Sequence, residues 1–236
     1  MNKYLQFPAK NSSESQLNRL LTRFQKNLRK LLRRHISFAN CCSAQDLGIN
    51  NEQQIRTYVS LAFGSIPSVD IIQEASTRRN TGKIKRGRRL VRNGRIDLLV
   101  RKYANGINTV IACELKHKWI RMKDSDKFLI RAAGIRLHNH ARKQVSRIHA
   151  ADSVLRLDQK TKVYRIALTA MPICYRHGQG QKMPHLSKTG LLSQLGTYIK
   201  LGNDSQACIL TFKRNRFDWD GVIESYPGIL LLATRV

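Results

Sequence analysis

Acid is what this sequence has least of. Its 236 residues hold 15 Asp and Glu against 43 Lys and Arg, for a net charge of +28 and a pI near 10.7. Such a balance excludes a partner that is itself cationic and points to a polyanion, with nucleic acid first. A basic ribosome-like protein and a membrane-surface binder are the alternatives. Long apolar runs are also missing: none approaches the ~18 residues of a transmembrane helix, and the polar N-terminus is unlike a signal peptide. Cysteine comes without a framework. Cys41, Cys42, Cys113, Cys174 and Cys208 form no Cys-x-x-Cys pair, are odd in number and include two neighbours. That argues against a structural zinc site and against a disulfide scaffold. The expected setting is reducing and cytoplasmic, nucleoid-associated if the source is bacterial. Cys113 and Cys208, in apolar runs, are expected to be buried small hydrophobes. No internal repeat or low-complexity linker occurs, and the length suffices for a full core.

What is present is organised around Arg95-Ile96-Asp97-Leu98-Leu99-Val100 and Val110-Ile111-Ala112-Cys113-Glu114-Leu115-Lys116. Both read as strands. Asn105-Gly106 between them is the signature of a tight hairpin turn, whose two central positions need positive φ. That turn pairs Leu98 with Cys113, Val100 with Ile111 and Ile96 with Leu115 on one apolar, core-facing side. On the other side it sets Asp97 against Glu114 and Arg95 against Lys116. Like charges directly opposite destabilise a sheet, and a divalent cation between them reverses the sign. The chemistry therefore points to a Mg²⁺ site made of oxygen ligands.

Residues 1–12 read as a loose arm. Ser13 and Gln16 have capping-box spacing, and Leu17, Leu20, Leu21, Phe24, Leu28, Leu31 and Leu32 form one helical stripe. Arg19, Arg23, Lys26, Arg29, Lys30, Arg33 and Arg34 fill the opposite face, as a solvated surface or as a contact for a nucleic-acid backbone. The domain reading is an arm and helix over 1–45 and a main domain over 46–236. A second helix over 50–63 presents Ile55, Tyr58, Val59, Ala62 and Phe63. Glu52 shares its stripe, either as a first-turn residue favoured by the helix dipole or as a ligand of a buried cation.

A strand over 69–75 leads into a basic loop, residues 76–95, with no acid in it. Arg78, Arg79, Lys83, Lys85, Arg86, Arg88, Arg89 and Arg92 lie there, a nucleic-acid clamp or groove-entering hairpin with its tip near the carboxylates. A plain basic loop is the alternative. Lys118 continues the charge past the hairpin. Residues 122–134 read as a loop, and 138–157 as a helix with Ala141, Val145, Ile148, Ala151 and Leu155 inward. Arg142, Lys143 and Gln144 lie on its flank. His138-Asn139-His140 reads as the start of this helix. Residues 162–170 read as a strand, 171–186 as a loop, 191–201 as a helix, and 206–212 and 229–233 as strands. Asp218 and Asp220 read as solvated turn residues. The class is α/β, a mixed sheet flanked by helices.

Ile96-Asp97 followed by Glu114-Leu115-Lys116 resembles the active site of the PD-(D/E)XK nuclease superfamily, with Ile96 in place of the proline. The resemblance covers about half the chain. It implies a restriction-endonuclease-like αβββαβ core. It implies that Asp97 and Glu114 ligate Mg²⁺ (or Mn²⁺) with the Leu115 carbonyl, and that Lys116 is the catalytic lysine. It further implies that Glu52, with Glu74 as rival, adds a metal ligand and that Gln144 lines the site. The expected function is a Mg²⁺-dependent endonuclease hydrolysing DNA with a metal-activated water as nucleophile. Restriction, recombination, repair, transposition and phage conflict all fit. The alternatives are a non-catalytic nucleic-acid-binding protein and the same core acting on RNA or branched DNA. A homodimer would supply the two sites that a double-strand cut needs.

Overall fold

A computed structural model describes residues 4–41, 51–85, 88–104, 106–122, 128–129, 132–148, 155, 161–178, 185–212, 217–219 and 222–236. The fold is mixed α/β. Its helices are α1 (Ser12–Cys41), α2 (Glu52–Gly64), α3 (Ala132–Ser146) and α4 (Lys188–Gly196). Its strands are β1 (Val69–Lys85), β2 (Arg88–Ala104), β3 (Ile107–His117), β4 (Ile120–Met122), β5 (Phe128–Leu129), β6 (Thr161–Gly178), β7 (Ser205–Thr211), β8 (Phe217–Trp219) and β9 (Val222–Arg235). All nine strands among the described residues belong to one sheet. β1, β2 and β3 are antiparallel neighbours, β6 runs parallel to β3, and β9 joins antiparallel to β6 and carries β7 and β8.

The expected α1 stripe is the docking face. Leu17, Leu20, Leu21, Phe24, Leu28 and Leu32 are buried in one cluster with Ile55, Val59 and Phe63 of α2 and with Leu98, Val100, Ile111, Cys113 and Leu115 of the sheet. Phe24 stacks on Phe63 with ring centroids 4.1 Å apart. Arg19, Arg23, Lys26, Lys30, Arg33 and Arg34 are exposed. The arm is not loose, contrary to expectation. Leu5 and Phe7 are buried, and their amides donate to the side chains of Gln25 and Asn18. The cap of α1 is also not Ser13 with Gln16. Asn11 accepts from the Glu14 amide at 2.9 Å, while Ser13 and Gln16 are buried inside the helix. At α2 the box is Asn51 with Gln54.

The opposite face carries α3, with Ala141, Val145 and Ile148 over Ile96, Leu99, Val110 and Ala112. α3 starts at Ala132, inside the expected loop, and His138 is mid-helix rather than at its start. Gly134 lies close to Met171 and Lys118, so the first turn can sit tightly on the sheet. Ala151 lies outside the described residues; Leu155 is buried. β6 is longer than its alternating stretch implied. Residues 171–178 are strand, not loop, and Met171, Ile173, Cys174 and Tyr175 are buried between β9 and neighbouring elements. Pro172 hides this in the sequence, because proline seldom occupies an interior strand. Among the described residues no helix is long and apolar enough to cross a membrane. Cys113, Cys174 and Cys208 are free and buried.

The basic segment is not a loop. Ser76↔Arg95 through Lys85↔Arg88 continue the β1–β2 ladder as a two-stranded ribbon, while the β2–β3 ladder begins only at Leu98. Nine residues of extended strand span about 30 Å, so the ribbon's far end lies that distance from Asp97 and only its root is near it. Of the basic residues, Arg86 is outside the described residues.

Candidate active site

The β2–β3 hairpin keeps the register dictated by the turn, from Ala104↔Ile107 to Leu98↔Cys113. Gly106 has φ +71°; Asn105 lies outside the described residues. The ladder then stops one residue short of Asp97. Asp97 and Glu114 are therefore not a cross-strand pair, nor are Arg95 and Lys116, contrary to expectation. Arg95 pairs with Ser76 and Lys116 with Thr169. The strands fork, and the Asp97 carboxylate reaches into the gap, where Oδ2 accepts the Leu115 backbone N–H at 2.8 Å. Its side chain takes the place of the next ladder carbonyl.

The cause lies in β1. Glu74, the residue that continuous register would set across from Asp97, has φ 53° and drops out of the ladder between Gln73↔Leu98 and Ala75↔Ile96. Residues two apart on a strand normally share a face. Here Leu98 belongs to the α1–α2 side, while Ile96 belongs to the α3 side. The expected common face of Ile96 and Leu115 is thus overturned, because both strands invert at this point.

Four elements meet at the fork. From α2, Glu52 Oε1 lies 3.1 Å from Lys116 Nζ of β3, which is itself 3.7 Å from Asp97 Oδ2 of β2. Arg56, one turn after Glu52, is the hub. Its Nη2 is 3.4 Å from Glu52 Oε1 and 3.3 Å from Asp97 Oδ1, and its Nη1 is 2.8 Å from Glu74 Oε1. Arg95 closes the outer side, 3.0 Å from Glu74 Oε2. Glu52 is a first-turn residue of α2, half-buried, and pairs with Lys116 and Arg56. Glu114 is buried on the same strand as Lys116, at 2% exposure. Burial first, then the charges of Asp97 and Glu114, raise the Cys113 thiol well above its ordinary range. Both carboxylates therefore bear on one point of β3.

The residue types are hard oxygen donors, which suit Mg²⁺. Among the described residues no three His, Cys, Asp or Glu side chains form one ligand group. Arg56 and Lys116 stand between the carboxylates instead. The ion pairs join three acids, Glu52, Glu74 and Asp97, with three bases, Arg56, Lys116 and Arg95, and Glu114 lies buried on the strand of Lys116.

The remaining candidates are less closely tied. Gln144 lies on α3 with its Oε1 buried and without a donor among the described residues. No hydrogen bond or ion pair among those residues links Gln144, Lys118, Arg142 or Lys143 to the carboxylates. Lys118 is half-buried, and Arg142 and Lys143 are exposed on α3. For Arg78, Arg79, Lys83, Lys85, Arg88, Arg89 and Arg92 the description covers their backbone on the ribbon. Arg56 is the residue missed in the sequence. Its signal was available, since it stands four residues after Glu52 in helical spacing. Comparison with family models, with curated proteins and with solved structures finds no match.

Proposed function

We propose that the protein is a divalent-metal-dependent endonuclease acting on DNA. The observation that carries this reading is the fork: Asp97, Lys116 and Glu52 converge from three elements at the root of a basic ribbon. The order α2-β1-β2-β3-β4-β5-α3-β6, with β3 parallel to β6, supports the αβββαβ core that the PD-(D/E)XK resemblance implies if the short β4 and β5 count as an insertion before α3.

Asp97, Glu114 and Glu52 are the residues that would hold the ion, with the Leu115 carbonyl. When bound, the ion polarises a phosphodiester and acidifies a water. The chain's own residues do the rest. The Leu115 N–H fixes the rotamer of Asp97. Lys116, braced by Glu52 and Asp97, is a cation placed to offset charge developing on the phosphoryl oxygens. The ribbon, with eight Lys and Arg between residues 78 and 92, binds the duplex; a two-stranded ribbon fits the major groove.

The test is supercoiled plasmid with Mg²⁺ or Mn²⁺, wild type beside Asp97→Ala and Lys116→Ala. Wild type should nick or linearise the plasmid; each variant should lose at least about a hundredfold in rate yet keep its mobility-shift affinity. Binding without cutting would favour the non-catalytic reading, in which Arg56 merely neutralises the cluster. Variants that cut like wild type would displace the site. Single-stranded RNA and branched DNA, run in parallel, decide the substrate.

A further inference from the structure

A cavity of about 210 Å³ lies between α1, the α2–β1 connection and the end of β2. Gln16, Arg19, Leu20 and Arg23 of α1, Ile66 and Lys102 line it. Three of these are cations, and no carboxylate is among the lining residues. Arg19 and Arg23, one turn apart, form no ion pair among the described residues. The Lys102 ammonium donates to the Pro67 carbonyl and has two further N–H bonds to give. Gln16 is 8% exposed, and its Nε2 is buried with no acceptor among the described residues. A buried donor without a partner costs about 1–3 kcal/mol, so Gln16 contributes a polar but strained wall to the cavity. Leu20 and Ile66 supply an apolar floor that strengthens any charge interaction at the rim.

We propose that this cavity binds a phosphate group, with Arg19, Arg23 and Lys102 carrying the charge around a wall to which Gln16, Leu20 and Ile66 contribute. Position on the strand suggests the source. Lys102 lies five residues along β2 from Asp97, about 17 Å, in the direction away from the ribbon. The length of α2, from Glu52 beside the fork to Gly64 before Ile66, is about 18 Å by helical rise. A duplex rises about 3.4 Å per base pair, so this span matches about five steps from the cutting centre. The occupant is then a backbone phosphate of the bound nucleic acid, a source that rests on the proposed function; the phosphate chemistry of the cavity does not.

The experiment uses the whole chain in EDTA, so that cutting plays no part. Thermal unfolding is followed with inorganic phosphate against chloride at equal ionic strength. Wild type and Arg136→Gln/Arg147→Gln, which removes the same charge from exposed positions away from α1, should show the same phosphate-dependent rise in Tm. Arg19→Gln/Arg23→Gln should lose at least half of it. Equal phosphate shifts in the two arginine double variants would overturn the proposal. A short duplex then separates the sources. Weaker duplex binding by Arg19→Gln/Arg23→Gln than by the control supports a backbone phosphate. Equal duplex binding with a lost phosphate response supports a free phosphate in the same site. Failure of the nuclease reading would appear in plasmid cutting and leave these readouts untouched.

Discussion

Arg56→Met is the substitution that best separates a metal centre from a structural ion-pair cluster. Methionine keeps the apolar stem and removes the guanidinium, whose nitrogens lie 2.8, 3.4 and 3.3 Å from Glu74, Glu52 and Asp97. Glu74 and Glu52 have side chains 51% and 35% exposed, so water screens those two pairs to about 0–1 kcal/mol together. Asp97 is 17% exposed and would keep only the Leu115 N–H and the more distant Lys116, at a cost of about 1–2 kcal/mol. The sum, about 2 kcal/mol, corresponds to a fall in Tm of roughly 4–8 °C for a chain of this size. That value holds in EDTA. If the carboxylates are metal ligands, the guanidinium competes with the ion for them. Mg²⁺ titrated into the variant should then restore most of the lost Tm and act at lower concentration than in wild type. Differential scanning fluorimetry across a Mg²⁺ series reads both. Equal Mg²⁺ shifts in the two proteins, or none in either, would refute the reasoning and leave the cluster as an ion-pair knot.

Replacing residues 77–94 with a tight turn removes eight Lys and Arg between 78 and 92; the slope of log K against log salt for duplex binding should flatten by up to about 7. An unchanged slope would assign binding elsewhere, α1 first. His138 is buried between the hydroxyls of Thr169 and Thr234, and burial, with Arg142 nearby, lowers its pKa from 6.5 to about 4. The unfolded chain therefore takes up the proton first, so stability should fall as pH drops from 6.5 toward 4, by about 2 kcal/mol at pH 5. Urea unfolding of wild type should show this slope, and His138→Gln should be flatter over the same range. Gly228→Ala places a Cβ 2.6 Å from the Leu210 carbonyl oxygen across the β7–β9 ladder. It should cost about 1–3 kcal/mol in the same assay, with m unchanged.

Local signals carried much of this fold, and their failures have physical causes. The turn Asn105-Gly106 set the hairpin register correctly as far as Leu98↔Cys113, because a tight turn with Gly106 at positive φ leaves little choice. The α1 and α2 stripes were legible because helical periodicity is a property of the segment itself. The inversion at Asp97 was not legible. It depends on the backbone of Glu74, a non-glycine residue at positive φ, and no composition rule foresees one. β6 was cut short by Pro172, and the start of α3 was hidden in a stretch whose small residues follow no period. The basic segment is paired as its hairpin reading expects, and is not the plain basic loop of the alternative. In the fold it is a ribbon extending from the sheet, continuous with strands whose cores hold the register.

The inversion also explains why the site draws on α2 at all. With regular alternation Asp97 would stand on the face opposite Leu98, beneath α3. The Glu74 irregularity turns Asp97 toward α2 and into the fork, where Glu52 and Arg56 can reach it. A left-handed glutamate costs about 1–2 kcal/mol, and a strand with only a structural duty would keep its alternation. Such strain gathers where geometry serves function, and the inference runs from the observed outlier to the site. Here the outlier, the end of the ladder and the pairing of Arg56 with Glu52, Glu74 and Asp97 fall together at the fork. The ladder's register shift lies elsewhere, between Asn80 and Ile84, so the Glu74 irregularity re-aims side chains without moving the register, and that is what brings Asp97 within reach of Arg56.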